Sequence, residues 1–193
     1  MTLASRTGLL APGTVLLAAA YPVAVYFLLD RGAVRLAGLL LLAVLAARLF
    51  VPAARRGEAL ALLAVGALFA ATLTITGSEL MARLWPVAVS AVMLAAFAAT
   101  LVRPPSMIER IARATGAELD AAGVQYTRTV TVIWCGFFVA NGVLALGTAL
   151  YASREWWVLY NGFISYLLAG ALLAGERLIR PHVQRRLAAT AGS

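Results

Sequence analysis

Lysine is absent from this sequence of 193 residues, and cysteine and histidine occur once each, as Cys135 and His182. One cysteine excludes an internal disulfide. With one histidine, one cysteine and no acidic cluster, no set of side chains has the spacing of a metal site. A Cys/His nucleophile pair would have to join the middle of an apolar segment to the C-terminal tail, so Cys135 reads as an inert apolar filler. Acidic residues are also scarce, eight against sixteen arginines, which leaves a formal charge of +8. Asp30, Glu58, Glu79, Glu155 and Glu176 fall at or near the ends of apolar segments, so a proton or ion pump would lack the carboxylates it needs inside its spans. No glycine-rich loop leads into a helix, and no serine sits on a nucleophile elbow. The sequence therefore offers no catalytic residue and no cofactor site. Nucleic acid is not an expected partner either, because the arginines border apolar runs and form no compact basic domain.

Apolar sequence is what the chain has in excess. It is 63% hydrophobic and 12% charged, with a mean hydropathy of +0.90, whereas a globular chain is about 45–50% apolar and about 25% charged. A soluble domain of this size could not hide that much apolar surface, but a bilayer accepts it in helices of roughly 20 residues. Six apolar segments follow one another, at about 9–29, 36–52, 59–76, 85–101, 129–151 and 156–178. The expected fold is all-α: a polytopic transmembrane bundle forming a single membrane domain over residues 1–193. The segments 36–52 and 85–101 are close to the shortest length that spans. The first segment holds Ala18, Ala19 and Ala20, which imitate a signal-peptide cleavage site. Its apolar run continues to Leu29, longer than such a peptide's core, so an uncleaved first helix is expected.

Arginine placement sets the orientation, since cytoplasmic loops hold the excess of basic residues. With the N-terminus inside, twelve arginines lie on the cytoplasmic side and four, Arg31, Arg35, Arg83 and Arg154, on the other. Both termini are thus expected in the cytoplasm. The longest loop, 102–128, is on that side. Pro104 and Pro105 stop the fourth span, and Ser106 with Glu109 has capping-box spacing, so a short helix should start there. Ile108, Ile111, Thr115 and Leu119 recur at helical spacing, with Glu109, Arg110 and Arg113 largely off that face. This describes an amphipathic helix lying in the membrane interface, or else a solvated connector packed on the bundle. On the opposite side, Trp156 and Trp157 have the placement of an aromatic belt.

In the fifth span Thr127, Thr131, Trp134, Phe138 and Asn141 share one face, and Asn161, Ser165, Leu168, Leu172 and Glu176 repeat the pattern in the sixth. Gly136, Gly142, Gly162, Gly170 and Gly175 would let helices approach closely. Asn141 and Asn161 have two readings, interhelical glue or polar lining of a substrate path. The all-arginine basic set also has two: the coding bias of an Ala- and Arg-rich genome, or a bidentate grip on phosphate.

The stretches YPVAVYFLLDR, AATLVRPPSMIERIAR and YTRTVTVIWCGFFVANGVLAL with WWVLYNGFISYLLAGALLAGERLIR resemble a group of uncharacterised bacterial polytopic membrane proteins. These are encoded beside acyl carrier proteins, ketosynthases and acyltransferases of aryl polyene or related fatty-acyl pathways. More distantly, the spacing of Trp134, Phe138, Asn141 and Trp157 is similar to that of the intracellular septation protein A family. The resemblance implies a helical bundle in the bacterial inner membrane and company in lipid-like metabolite or envelope biogenesis. It transfers no catalytic residue. The expectation is a non-enzymatic accessory protein whose Arg103, Arg110, Arg113 and Arg128 hold anionic membrane lipids or an acidic partner such as an acyl carrier protein. The alternative is a membrane enzyme or lipid transporter, with Arg128, Asn141, Asn161 and Glu176 lining a polar cavity between spans five and six.

Overall fold

The computed structural model describes residues 23–28, 33–49 and 56–191. Residues 23–28 are helical. They are followed by α1 (Val34–Leu49), α2 (Arg56–Thr76), α3 (Glu79–Val102), α4 (Met107–Ala114), α5 (Ala121–Tyr151), α6 (Arg154–Leu159), a π-helical turn (Tyr160–Ile164) and α7 (Ser165–Ala191). No strand occurs among the described residues. Three helical stretches are long and apolar enough to cross a membrane: Glu79–Val102, Ala121–Tyr151 and Arg154–Arg180. They contain the fourth, fifth and sixth expected segments. The first expected segment lies outside the described residues apart from its helical end. The second and third correspond to α1 and α2, of which α1, at 16 residues, is about 24 Å long. The fifth helix starts eight residues before the expected boundary at 129, so Thr127 and Arg128 lie within α5. Asp120 starts it there, its carboxylate accepting the Gly123 N–H at 2.7 Å, as an N-cap does.

Contacts group the chain into two units. One takes the described residues up to Pro86 together with Ala145–Ile164, and the other takes Val87–Leu144 and the residues from Ser165 onward. The divisions in α3 and between α6 and α7 fall at local irregularities, Pro86 within α3 and the end of the π-turn. Proline removes a helix hydrogen bond and a π-turn widens the coil, so both are places where a helix loses regularity.

In the first unit, α1 packs on α2 around Ala37, Leu41, Ala70 and Leu73, all buried. Gly38 makes this possible. A Cβ there would collide with Thr74 Oγ1 and lie 2.8 Å from the Thr74 nitrogen and 2.9 Å from the Ala70 carbonyl oxygen. In the second unit, Phe97 of α3 meets Phe138 of α5 edge-on at 5.1 Å, and Trp134 lies 5.7 Å from Phe138. The expected face of α5 is the packed one: Thr127 and Thr131 are fully buried and Phe138 nearly so.

Two expectations for the helix faces change. Of the five glycines, Gly142 is at a close approach, with Ser90 Cβ 3.3 Å from the position of an added Cβ, whereas Gly136, Gly170 and Gly175 have no described atom within 4 Å. In the sixth span Asn161 is buried but Leu168 is exposed. The π-turn between them has more residues per turn than an α-helix, so side chains after it are rotated off the face that Asn161 occupies.

Candidate functional site

Polar side chains concentrate at the two ends of α3. At its N-terminal end, in the first unit, Arg154 grips Glu79 with both Nε and Nη2, at 2.9 and 2.7 Å. Arg83, one helical turn after Glu79, lies 3.8 Å from the same carboxylate. Its Nη2 donates to the carbonyls of Thr148 and Ala152 at 2.8 and 2.6 Å. Thr148 is in the last turn of α5 and Ala152 directly follows it, where the helix dipole and unmatched acceptors favour a cation. Trp157 is fully buried and donates its indole N–H to the Arg83 carbonyl at 3.0 Å. Of the expected aromatic pair, therefore, only Trp156 is exposed. Nearby, Asn161 donates to Thr148 Oγ1 at 3.0 Å and to the Trp157 carbonyl at 2.9 Å. The bond to Thr148 holds the π-turn against α5. The arrangement is a closed lock of ion pairs and caps.

The C-terminal end of α3, in the second unit, is built differently. After Val102 the chain turns through Arg103–Pro105 into α4. Ser106 takes the N-cap position but forms no side-chain cap bond, and Glu109, instead of reaching back to it, bonds Arg113 at 2.9 Å. The expected capping box is thus not formed. Its work is done by threonines from the flanking helices. Thr100 Oγ1 accepts the Met107 N–H at 2.9 Å while donating to the Phe97 carbonyl. Thr131 Oγ1 accepts the Ile108 N–H at 3.3 Å while donating to the Thr127 carbonyl. Each hydroxyl fills both its roles, as one donor and an acceptor.

α4 is shorter than its apolar pattern suggested. Gly116 has φ +85°. The Gly116 N–H reaches the Arg113 carbonyl at 3.1 Å and the Ala117 N–H the Ala112 carbonyl at 3.0 Å, which is the Schellman stop. Thr115 is therefore the C-cap and Leu119 lies beyond the helix. Glu109 and Ala112 face inward, while Ile111 is exposed.

The four expected arginines meet at this junction, in unequal states. Arg113 is held by the buried Glu109 carboxylate through both Nε and Nη2, each at 2.9 Å. Arg110 docks on main chain, Nε to the Pro105 carbonyl at 2.7 Å and Nη2 to the Arg103 carbonyl at 3.1 Å. Arg128 reaches across from α5, Nη1 to the Leu101 carbonyl at 3.1 Å. Arg103 is exposed between them. A carbonyl orients a guanidinium and complements the end of a helix, but it leaves the formal charge in place.

Asn141 and Glu176, the other polar residues expected on these helices, make different contacts. Asn141 donates to Ser90 Oγ of α3 at 3.1 Å, beside the close approach at Gly142. Glu176 of α7 lies 3.9 Å from Arg180, and its main-chain carbonyl accepts from the Tyr126 hydroxyl at 3.5 Å. Cys135 is partly buried. Among the described residues no three His, Cys, Asp or Glu side chains come together as a metal site would need.

Sequence reasoning missed the Glu79–Arg83–Arg154 lock and the two capping threonines. The four-residue spacing of Glu79 and Arg83 was a usable signal. The pairing of Arg154 with Glu79, and of Thr100 and Thr131 with α4, depends on tertiary contacts that no local spacing encodes. No family model, no curated protein and no solved structure matches the chain.

Proposed function

We propose that the chain is a six-span protein of the bacterial inner membrane, with both termini in the cytoplasm. In this reading it is a non-enzymatic accessory protein of envelope or lipid-like metabolite biogenesis that holds an anionic partner at the junction of α3, α4 and α5. α4 lies at the interface with Ile111 toward the acyl chains. One observation carries the reading: Arg103 and Arg128, both exposed, gather with Arg110 directly after a helix long enough to span, and the bond that orients Arg128 goes to a carbonyl oxygen. Cations so placed attract anionic headgroups or an acidic protein such as an acyl carrier protein. The arginine distribution along the sequence and the resemblance to membrane proteins of acyl pathways support the same location.

Lipid retention tests the reading. The full chain and an Arg103→Gln/Arg128→Gln variant are purified in mild detergent from the same cells, at low and high salt, and co-purifying lipids are quantified. Wild type should retain anionic over zwitterionic lipid, the variant less so, and the difference should shrink as salt rises. Equal retention by both proteins at low salt refutes the role of the arginines. Orientation is tested by reporter fusions after Arg56, near Gly116 and at Ser193, all expected to report the cytoplasm; a Gly116 fusion reporting the far side ends the six-span topology.

A further inference from the structure

We infer that Arg103 and Arg128 form a binding site for the phosphate of a lipid headgroup, that Arg110 positions it, and that Arg113 is not part of it. The inference rests on the proposed membrane location and narrows it to a ligand chemistry and a set of donors.

Position comes first. The candidate span ends at Val102, one residue before Arg103, so the junction sits at the depth where headgroup phosphates lie. Charge comes next. Arg113 is matched by Glu109, a carboxylate 7% exposed and bonded to it twice, so recruiting Arg113 would strip a buried carboxylate of its partner. At the other end of α3 the same logic closes the site: Arg154 is held by Glu79, and Arg83 is turned into the end of α5. Arg103 and Arg128 remain outward. Arg128 uses Nη1 alone among the described residues, which leaves its Nε/Nη2 edge, the pair of parallel donors that matches two phosphate oxygens. Arg110 has that edge on the Pro105 and Arg103 carbonyls. It therefore holds the Arg103 backbone in place.

The occupant is a lipid because the same surface is amphiphilic. Val102, 81% exposed, adjoins Arg103, and Ile111, 51% exposed, adjoins Arg110. An acyl chain covers such residues, while a free phosphate gains nothing from them.

The test uses the full chain in a non-ionic detergent, with apparent affinities measured for dioctanoyl phosphatidate, dioctanoylglycerol hemisuccinate and inorganic phosphate. Phosphatidate should bind at least about tenfold more tightly than either of the others. Arg103→Gln and Arg128→Gln should each weaken it about tenfold, the loss expected of one charge-assisted donor. Glu109→Gln/Arg113→Gln, which removes both partners and so leaves no lone buried charge, should bind within about twofold of wild type. Hemisuccinate binding as tight as phosphatidate would overturn the phosphate assignment and leave the broader anionic reading standing. Inorganic phosphate binding as tight as phosphatidate would replace the lipid by a soluble ligand. A loss in the Glu109/Arg113 variant as large as that in Arg128→Gln would return Arg113 to the site. Failure of every anionic probe to distinguish wild type from Arg128→Gln would refute both this inference and the function it rests on.

Discussion

A single methyl group added at Gly38 should weaken the pairing of α1 with α2. In Gly38→Ala the new Cβ has its nearest main-chain neighbours at 2.8 and 2.9 Å, the Thr74 nitrogen and the Ala70 carbonyl oxygen, with Thr74 Oγ1 closer still. Neither backbone atom belongs to a movable side chain, so α1 must back away by roughly 0.6–0.7 Å to reach ordinary contact near 3.5 Å. A gap of that size forfeits about a quarter of the attraction of each atom pair it opens, at about 0.1–0.2 kcal/mol per pair. Over the contacts of Ala37, Leu41, Ala70 and Leu73, the loss together with overpacking comes to about 2–3 kcal/mol. Alanine is the better helix former by up to about 1 kcal/mol, so the net destabilisation is about 1–2 kcal/mol. Thr74→Ala in the same chain removes the hydroxyl and leaves both backbone atoms, so it should restore only part of the loss. Gly136→Ala is the matched control: no described atom lies within 4 Å of its new methyl, and stability should hold or rise. Unfolding in mild detergent, followed by helical circular dichroism, measures all three. A Gly38→Ala protein as stable as Gly136→Ala would refute the close approach.

Asn141→Leu breaks the bond to Ser90 and should destabilise by about 0.6–2 kcal/mol; Ser90→Ala in the same background should add little, and full additivity in a double-mutant cycle would show that the two do not interact. Arg83→Gln should cost about 2–3 kcal/mol, because the Thr148 and Ala152 carbonyls lose a charged donor, and thermal melting as sharp and as high as wild type would contradict its capping role. Glu79→Gln, at a pair whose partners are both about one-third exposed, should cost about 1 kcal/mol or less, so a larger loss than for Arg83→Gln would reverse the ranking. Cys135→Ala should shift stability by less than about 0.5 kcal/mol, and a large shift would show packing that its partial exposure does not suggest.

Helix content and the placement of α1, α2, α3, α5 and the sixth segment were legible because apolar runs and arginine-bearing breaks are local in sequence. The packed face of α5 was legible as well, since Thr127, Thr131, Phe138 and Asn141 keep helical spacing in a helix without interruption. The equivalent stripe in the sixth segment was misread after Asn161, because nothing in the sequence YNGFI announces an i→i+5 turn. α4 was found through its prolines and Ser106, yet its caps were assigned to the wrong side chains. Capping by Thr100 and Thr131 requires two other helices to be in place first. The inequality of the four arginines was not visible in the sequence: Glu109 lies at helical spacing from Arg113, and only the burial of its carboxylate shows that it is committed to that exposed guanidinium. Close approach at glycines was legible as a possibility at many positions and was realised at Gly38, which was not singled out, and at Gly142, which was.

The two threonine hydroxyls that hold the start of α4 make its first amides a gauge of helix separation. Met107 N–H is read by α3 and Ile108 N–H by α5, so any sliding of these helices past one another releases one proton before the other. Unequal hydrogen exchange at these adjacent amides would report such sliding directly, with no label attached to the protein. A ligand that clamps the junction should slow both together.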